Sequence, residues 1–496
     1  MESIEKICEN RKAEILSATS QPLNPGAVYY VSAAGDDASD GLSPKTAWQT
    51  LEKVTLAPLK AGDNVLFRRG DLFRGCFRAQ SGVFYGAFGE GEKPRFYSFD
   101  YDLADENLWE IFDAEKHIWR CVRPLPDCGT LVFNEGEYHG RKLIPSFIGG
   151  RFVCREDEKR PFDVRQEMTR DLDLFCECLG EMTMKPSKGQ DFPIPNLTEN
   201  SCGALYLRCD RGNPGRVFRS IEALARRHMI TVGTCDNVRI DNLCLKYIGM
   251  HAVKGGRQVH SLHVTNCEIG WVGGCIQHYL GTDPNYPEGG RGTVTRFGNG
   301  VEIYGGCDDY LVENCYIYQV YDAAITHQIT TNGKKFVLTN IRYRKNLVED
   351  CVYAIEYFLE KTGGDRDSYM EGIDISYNIL RRSGYGWGQQ RHNYHTPALI
   401  KGWSFENTAR DFRIHGNIFD RCAYRLLHLV AREEESLPEL RGNVYIQHRG
   451  GMLGQYGANG VREPEVIVFE GDVDSVIWKV LGDAEREGRY FLESRK

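Results

Sequence analysis

The chain reads as all-β: a solenoid of stacked parallel coils with an inserted β-rich lobe and helical caps. Three observations predict this. First, Ala252-Val253-Lys254, Cys275-Ile276-Gln277, Gly300-Val301-Glu302, Ala324-Ile325-Thr326 and Ala354-Ile355-Glu356 repeat one pattern of small, β-branched and polar residues. Second, the branched positions 253, 276, 301, 325 and 355 lie 23, 25, 24 and 30 residues apart. At such a period each repeat buries its apolar face only by stacking on its neighbours. A sixth stretch, Phe412 to Leu429, carries the same rhythm with a blurred centre. Third, Asn recurs near the middle of most coils, at Asn242, Asn266, Asn314, Asn346, Asn378 and Asn417. Asparagine tolerates left-handed backbone and bonds locally, which suits a sharp bend repeated in every coil. Stacked copies can also share amide hydrogen bonds. In such a stack Lys254, Gln277, Glu302, Thr326 and Glu356 form one outward column.

Taken in order, residues 1–26 read as a helical leader ending at Asn24-Pro25-Gly26. Residues 27–99 read as an N-terminal cap and the first coils. Val28 to Val31 is a strand, and Ser43-Pro44 opens an amphipathic helix (Trp48, Leu51, Val54) with serine as N-cap and proline at N1. A helix there covers a coil end that would otherwise expose unpaired backbone groups. Val65-Leu66-Phe67 begins the coils. Residues 100–225 break the rhythm. Trp109, Trp119, Leu131-Val132-Phe133 and Leu205-Tyr206-Leu207 predict short antiparallel strands in an inserted lobe, and Ser220 to Arg227 a short helical return. Residues 226–435 read as the main coils. They are interrupted by a loop, Gly281 to Arg296, that emerges just before Gly298-Asn299-Gly300; loops this long are more often functional than idle. Residues 436–496 read as a last coil with a closing helix over Asp472 to Glu487.

Composition narrows the function classes. The 496 residues carry a net charge of −8, and no basic cluster reaches the density that binding a phosphate backbone requires, so no nucleic-acid partner is expected. The first twenty residues lack the apolar core of a signal peptide, and no apolar run of about 18 residues follows. The expectation is a soluble, cytoplasmic protein with no membrane partner. Seventeen cysteines are odd in number, spread along the chain, and often inside strand patterns (Cys244, Cys267, Cys315, Cys351). That usage predicts reduced thiols filling small core sites. No CxxC pairs with another at zinc spacing, and neither a metal nor a cofactor is expected.

Several segments carry a family resemblance: Tyr29-Tyr30-Val31-Ser32, Asp40 to Pro44, Gly62 to Phe67, Ile269 to Gly274, Arg296 to Glu302, Tyr321 to Gln328 and Ile355-Glu356-Tyr357. Over roughly residues 27–430 the chain resembles the bacterial right-handed parallel β-helix proteins of the pectate-lyase-like superfamily. Within it the chain looks most like the glycosidase branch with an inserted β-sandwich lobe, which includes enzymes acting on xylosides and fucosides. The resemblance implies the fold. The superfamily also holds lyases, epimerases and tailspikes, so the reaction has to come from the site.

Neighbouring strands of a parallel sheet lie about 4.8 Å apart, which puts Glu302 and Glu356 roughly 9.6 Å apart at the backbone with Thr326 between them. Asp322, at the turn feeding the strand of Thr326, faces the gap from the side. Glycoside hydrolysis needs two carboxyls, about 5–5.5 Å apart for retention or about 6.5–9.5 Å for inversion. The glutamate pair fits inversion, and Asp322 with either glutamate fits retention. Glu356 sits among Tyr353, Tyr357 and Phe358, and apolar surroundings raise a carboxyl's pKa as a general acid requires. Glu356 is therefore the expected acid, with Asp322 or Glu302 as nucleophile or base.

Substrate contacts are expected from Lys254, Gln277, His278, Asn299, Tyr304, Thr326, Gln328 and Tyr357. His327 is open between a substrate contact and a buried histidine, because strand alternation turns it inward if Thr326 points outward. The polar, glycine-broken segment Tyr385 to His395 reads as a loop over the site. In it Trp387 offers a flat face to a sugar ring, and Arg391 and His395 offer donors. The reading is a metal-independent, exo-acting glycosidase on a carbohydrate substrate. A polysaccharide lyase or uronate epimerase is the alternative. It would draw on Lys254 and Arg257, which the spacing places two coils from Glu302. A non-catalytic sugar-binding solenoid is the third reading, and the clustered acids argue against it.

Overall fold

The computed structural model describes residues 3–20, 24–184, 192–280, 292–391, 396–458, 481 and 485–493. In the described residues three parallel sheets of 11, 10 and 9 strands wind around one apolar core. Each coil gives one strand to each sheet, as in Ala323–Thr330, Val337–Arg344 and Leu347–Glu349, and the next begins at Tyr353–Glu360. Parallel crossovers of this kind run right-handed, so the fold is a right-handed parallel β-helix. The branched positions form the inner column: Val253 pairs with Val301, then Ile325, Ile355, Ile400 and Leu427. All are buried, and each contributes about 1.5–3 kcal/mol by leaving water.

The asparagines hold the bends in two different ways. Asn242, Asn266 and Asn314 adopt left-handed backbone themselves. From Asn346 onward the left-handed residue is the one before, Lys345, Tyr377 and Gly416. The asparagine then lies inside a ladder: Asn346 Nδ2 donates to Asn378 Oδ1 at 2.9 Å, Asn378 to Asn417 at 2.9 Å, and Asn417 to Asn443 at 3.0 Å.

Between Arg95–Tyr97 and Ile230–Gly233 the chain leaves the helix, yet the strands on either side of this excursion pair directly, Arg95 with Cys244 and Phe77 with Ile230. The excursion folds as antiparallel strands, with Asp173–Cys178, Cys202–Arg208, Ile118–Cys121 and Trp109–Asp113 side by side. The segment expected as a helical return is a strand, Ile221–Ala225, buried throughout and antiparallel to Cys128–Phe133. Its alternate residues Ile221, Ala223 and Ala225 enter the lobe core, while Glu222 is buried against Arg74.

The first helix, Ile4–Ser17, lies along the outside of a sheet, where Cys8 and Ile15 pack on Tyr316, Leu347 and Ile379. The second begins later than Ser43. It spans Leu51–Leu56 with Thr50 as N-cap, and packs on the strand Phe77–Arg78. Ser43 and Thr46 instead close a turn on each other, and Trp48 bridges to Val31, so strand pairing outweighs the Ser-Pro signal. The helix expected over Asp472 to Glu487 lies mostly outside the described residues, and Glu485–Arg486 is a strand. All cysteines are free thiols, most of them buried. Among the described residues no helix is long and apolar enough to cross a membrane.

Candidate active site

The nine-stranded sheet presents the predicted column with one member removed. Lys254 pairs with Glu302, Glu302 with Thr326, and Thr326 with Glu356. Gln277 is absent from the column because Cys275–Tyr279 is no coil strand. It pairs antiparallel with Val294–Phe297 in a hairpin whose Ile276, Tyr279 and Val294 pack into the lobe core. The small–branched–polar pattern is satisfied by any two-faced strand, so it could not tell a coil from a hairpin. The exit is made by Gly273 and Gly274, both at positive φ. A Cβ on Gly298 would stand 2.1 Å from Gly273 Cα, so only glycines let the two ends of the hairpin close up. With the hairpin looped out, Lys254 is next to Glu302 rather than two coils away, and its Nζ is 3.7 Å from Glu302 Oε1.

The column continues beyond the five repeats picked out in the sequence. Glu356 pairs with Lys401 on Ala398–Gly402, and Lys401 with His428 on Arg425–Ala431. Ala398-Leu399-Ile400-Lys401 repeats the small–apolar–charged signal, but it follows the irregular segment before it and shifts the spacing. A second outward column runs two residues further along each strand: Tyr304, Gln328 and Phe358, with Trp403 beside Phe358. The rings of Phe358 and Trp403 are 4.6 Å apart, and Tyr304 meets Phe358 edge-on at 6.3 Å. A carboxylate column therefore runs beside an aromatic one.

Both columns line a cleft of about 740 Å³. The hairpin and the residues after it bring Gln277, His278, Thr295, Phe297 and Asn299 to one side, and Asp322 and Arg391 close another. Arg296 fixes the hairpin to the lobe, donating to Gly274 O at 2.6 Å and Gly129 O at 2.9 Å.

Each acid is buried and each has a distinct partner. Glu302 Oε2 accepts from Asn299 Nδ2 at 2.8 Å and lies 2.7 Å from His251 Nδ1. Burial pushes its pKa up, but the charge and hydrogen bond of His251, with Lys254 and Asn299, bring it below the usual carboxylate value. Glu356 goes the other way. Burial dominates, and Asp322 adds to it, so its pKa is raised despite Lys401 3.0 Å away and Arg391. Asp322 is bonded to Arg391. Thr326 Oγ1, between the glutamates, and Gln328 Oε1, between the aromatics, are buried without a hydrogen-bond partner among the described residues. Groups in that position call for a water or a substrate hydroxyl.

Of the remaining expectations, two are overturned, Tyr357 and Trp387, and His327, left open, takes its buried alternative. His327 is fully buried, bonded to Tyr343 Oη at 2.8 Å and stacked on Tyr357. Tyr357 is likewise in the core, since strand alternation turns the neighbours of outward Thr326 and Glu356 inward. Trp387 is 1% exposed; it packs on Tyr321 and donates to Gln319 O at 2.8 Å, so it offers no face to a sugar. Among the described residues of the segment after it, Arg391 lines the site. His395 and residues 281–291 of the long loop lie outside the described residues. The functional side chains that sequence reasoning missed are Lys401, Trp403 and, as a partner of Glu302, His251.

Fold and cleft together define a parallel β-helix that holds buried carboxyls against an aromatic wall. No family model matches the chain, and no curated protein matches it. Solved structures do. One is a GH136 lacto-N-biosidase from Eubacterium ramulus, 12% identical over 99% of this chain and 70% of that one, with a TM-score of 0.35. A complex of XylC with xylose is 10% identical over 94% and 82%, with a TM-score of 0.37. A polygalacturonase from Erwinia carotovora ssp. carotovora is 8% identical over 97% and 98%, with a TM-score of 0.29.

Proposed function

We propose that the protein is a glycoside hydrolase in which Glu356 is the general acid and Glu302 the base that activates water. One observation carries this: two glutamates on one column have their pKa values pushed apart, Glu356 up and Glu302 down. A pair so separated supplies one protonated and one ionised carboxyl at the same pH. Thr326 between them is short, which leaves space for a sugar ring and a water, and a two-strand separation suits inversion.

Glu356 protonates the departing oxygen while Glu302 takes a proton from the water that attacks the anomeric carbon from the opposite face. Lys401 and Arg391 then hold the new Glu356 carboxylate, which makes the acid stronger as the bond breaks. Phe358, Trp403 and Tyr304 stack on the sugar, and Gln328 Oε1 accepts from a hydroxyl. Gln277, His278, Thr295 and Phe297 of the hairpin line one side of the cleft, which supports exo action on a short oligosaccharide.

A second reading has one observation behind it. Asp322 is near enough for its charge to raise Glu356, and that pair would give retention. The deciding experiment is hydrolysis of aryl glycosides and natural oligosaccharides, with the first-formed anomer read by NMR. Inversion supports Glu302 as base; retention moves that role to Asp322. Silence on every glycoside, with unsaturated products from uronates, would make the protein a lyase.

A further inference from the structure

His251 lies two residues before the strand Val253–Gly255, is 2% exposed, and lines the cleft. Its Nδ1 meets two groups at once. The backbone N–H of Asn299 points at it from 3.0 Å, and Glu302 Oε2 stands 2.7 Å away. An amide N–H can only donate, so it requires a lone pair on Nδ1. An ionised carboxylate can only accept, so it requires a proton there. Both demands cannot be met by one nitrogen. If Glu302 is ionised, Nδ1 carries the proton and the Asn299 N–H gives up its acceptor. If Nδ1 keeps its lone pair, Glu302 carries the proton.

We propose that His251 is the positioning residue of Glu302. One proton held between Nδ1 and Oε2 couples the histidine tautomer to the ionisation of the carboxyl, and the Nδ1–H form keeps Glu302 ready as a base. This rests on the role given to Glu302 above. The surroundings favour that form. Lys254 approaches the other oxygen, Oε1, at 3.7 Å, and Asn299 Nδ2 donates to Oε2, so the carboxylate is the better-satisfied state. Behind His251 the ring of His228 stacks in parallel at 5.0 Å and 4°, and its Nδ1 accepts from the His251 backbone N–H at 3.2 Å. Phe297 meets His251 edge-on at 5.1 Å. The charged and titratable groups around the pair are thus Glu302, Lys254, His228 and, beyond His228, Arg226. Burial, helped by the charges of Lys254 and Arg226, holds His228 well below the usual histidine value, so it stays neutral and does not compete for the proton.

The test has two arms. In protein labelled with 15N-histidine, His251 shows Nδ1 protonated in the wild type, and Glu302→Leu, which leaves no acceptor beside Nδ1, switches the proton to Nε2, freeing Nδ1 for the Asn299 N–H. An unchanged tautomer overturns the proposal whatever the enzyme's activity. In the second arm the acidic limb of the kcat/KM profile moves up by about one pH unit in His251→Phe, because the carboxyl loses a partner that favours its charged form. His251→Asn, which restores a donor near Nδ1, brings the limb back. A uniform loss of rate in both variants, with the limb in place, makes His251 only structural. If Glu302→Leu remains fully active while the tautomer still switches, the pairing stands and the role assigned to Glu302 falls.

Discussion

Lys401 Nζ stands 3.0 Å from Glu356 Oε1, on the neighbouring strand and in direct register with it. The lysine is buried, and its charge opposes the burial and the Asp322 charge that raise the glutamate. The pKa of the acid is thus set by competing neighbours rather than by burial alone.

That competition predicts opposite shifts from two substitutions. The acid works only while protonated, so activity falls as pH rises through the pKa of Glu356. Lys401→Met removes a group that lowers this pKa, and the alkaline limb moves to higher pH. Asp322→Asn removes one that raises it and frees Arg391, and the limb moves to lower pH. Profiles of kcat/KM for both variants check the signs. A dead Asp322→Asn enzyme from a wild type that retains configuration gives Asp322 the nucleophile's role.

Glu356→Gln loses about 10²–10⁴ in kcat on natural glycosides, the usual contribution of general acid catalysis. The loss is smaller on aryl glycosides whose leaving group departs without a proton. Glu302→Gln is impaired on both alike. Comparing the two substrate classes separates acid from base.

The two tryptophans near the site behave differently. Trp403 is half-buried on the cleft wall, and Trp403→Ala raises KM roughly 2- to 10-fold, matching a stacking loss of about 0.5–1.5 kcal/mol, with stability nearly kept. Trp387 is a core side chain, and Trp387→Ala lowers stability by about 3–5 kcal/mol. Denaturant melts alongside kinetics distinguish them.

His327 makes the fold acid-sensitive. Burial pushes its pKa from 6.5 down to about 3. The unfolded chain binds a proton that the folded one refuses, so stability is full above the unfolded pKa and falls as pH drops from about 6.5 towards 3, by about 1.4 kcal/mol per unit. His327→Leu flattens that slope in urea titrations at pH 7, 6 and 5.

The ladder gives a simpler check. Asn378 donates to Asn417 and Tyr343 O and accepts from Asn346, all buried. Asn378→Ala leaves these groups unpaired, at about 1–3 kcal/mol each, and lowers the melting temperature.

The solenoid and most of its carboxylate column were legible in the sequence by itself. Val253, Val301, Ile325 and Ile355 recur at the coil period and are followed by Lys254, Glu302, Thr326 and Glu356, and alternation along a strand sends branched residues inward and the next residue outward. Three things were decided only by the tertiary structure: which strands are neighbours, which partners each acid meets, and which aromatics face the cleft. Gln277 sits in a hairpin that copies the coil pattern, while Lys401 belongs to a coil whose spacing an irregular segment obscures. His251 reaches Glu302 across 51 positions of sequence because the looped-out hairpin sets their strands side by side. Local alternation is a property of each strand alone, whereas stacking register depends on what the intervening chain does in space. The ionisation of each acid follows from the register.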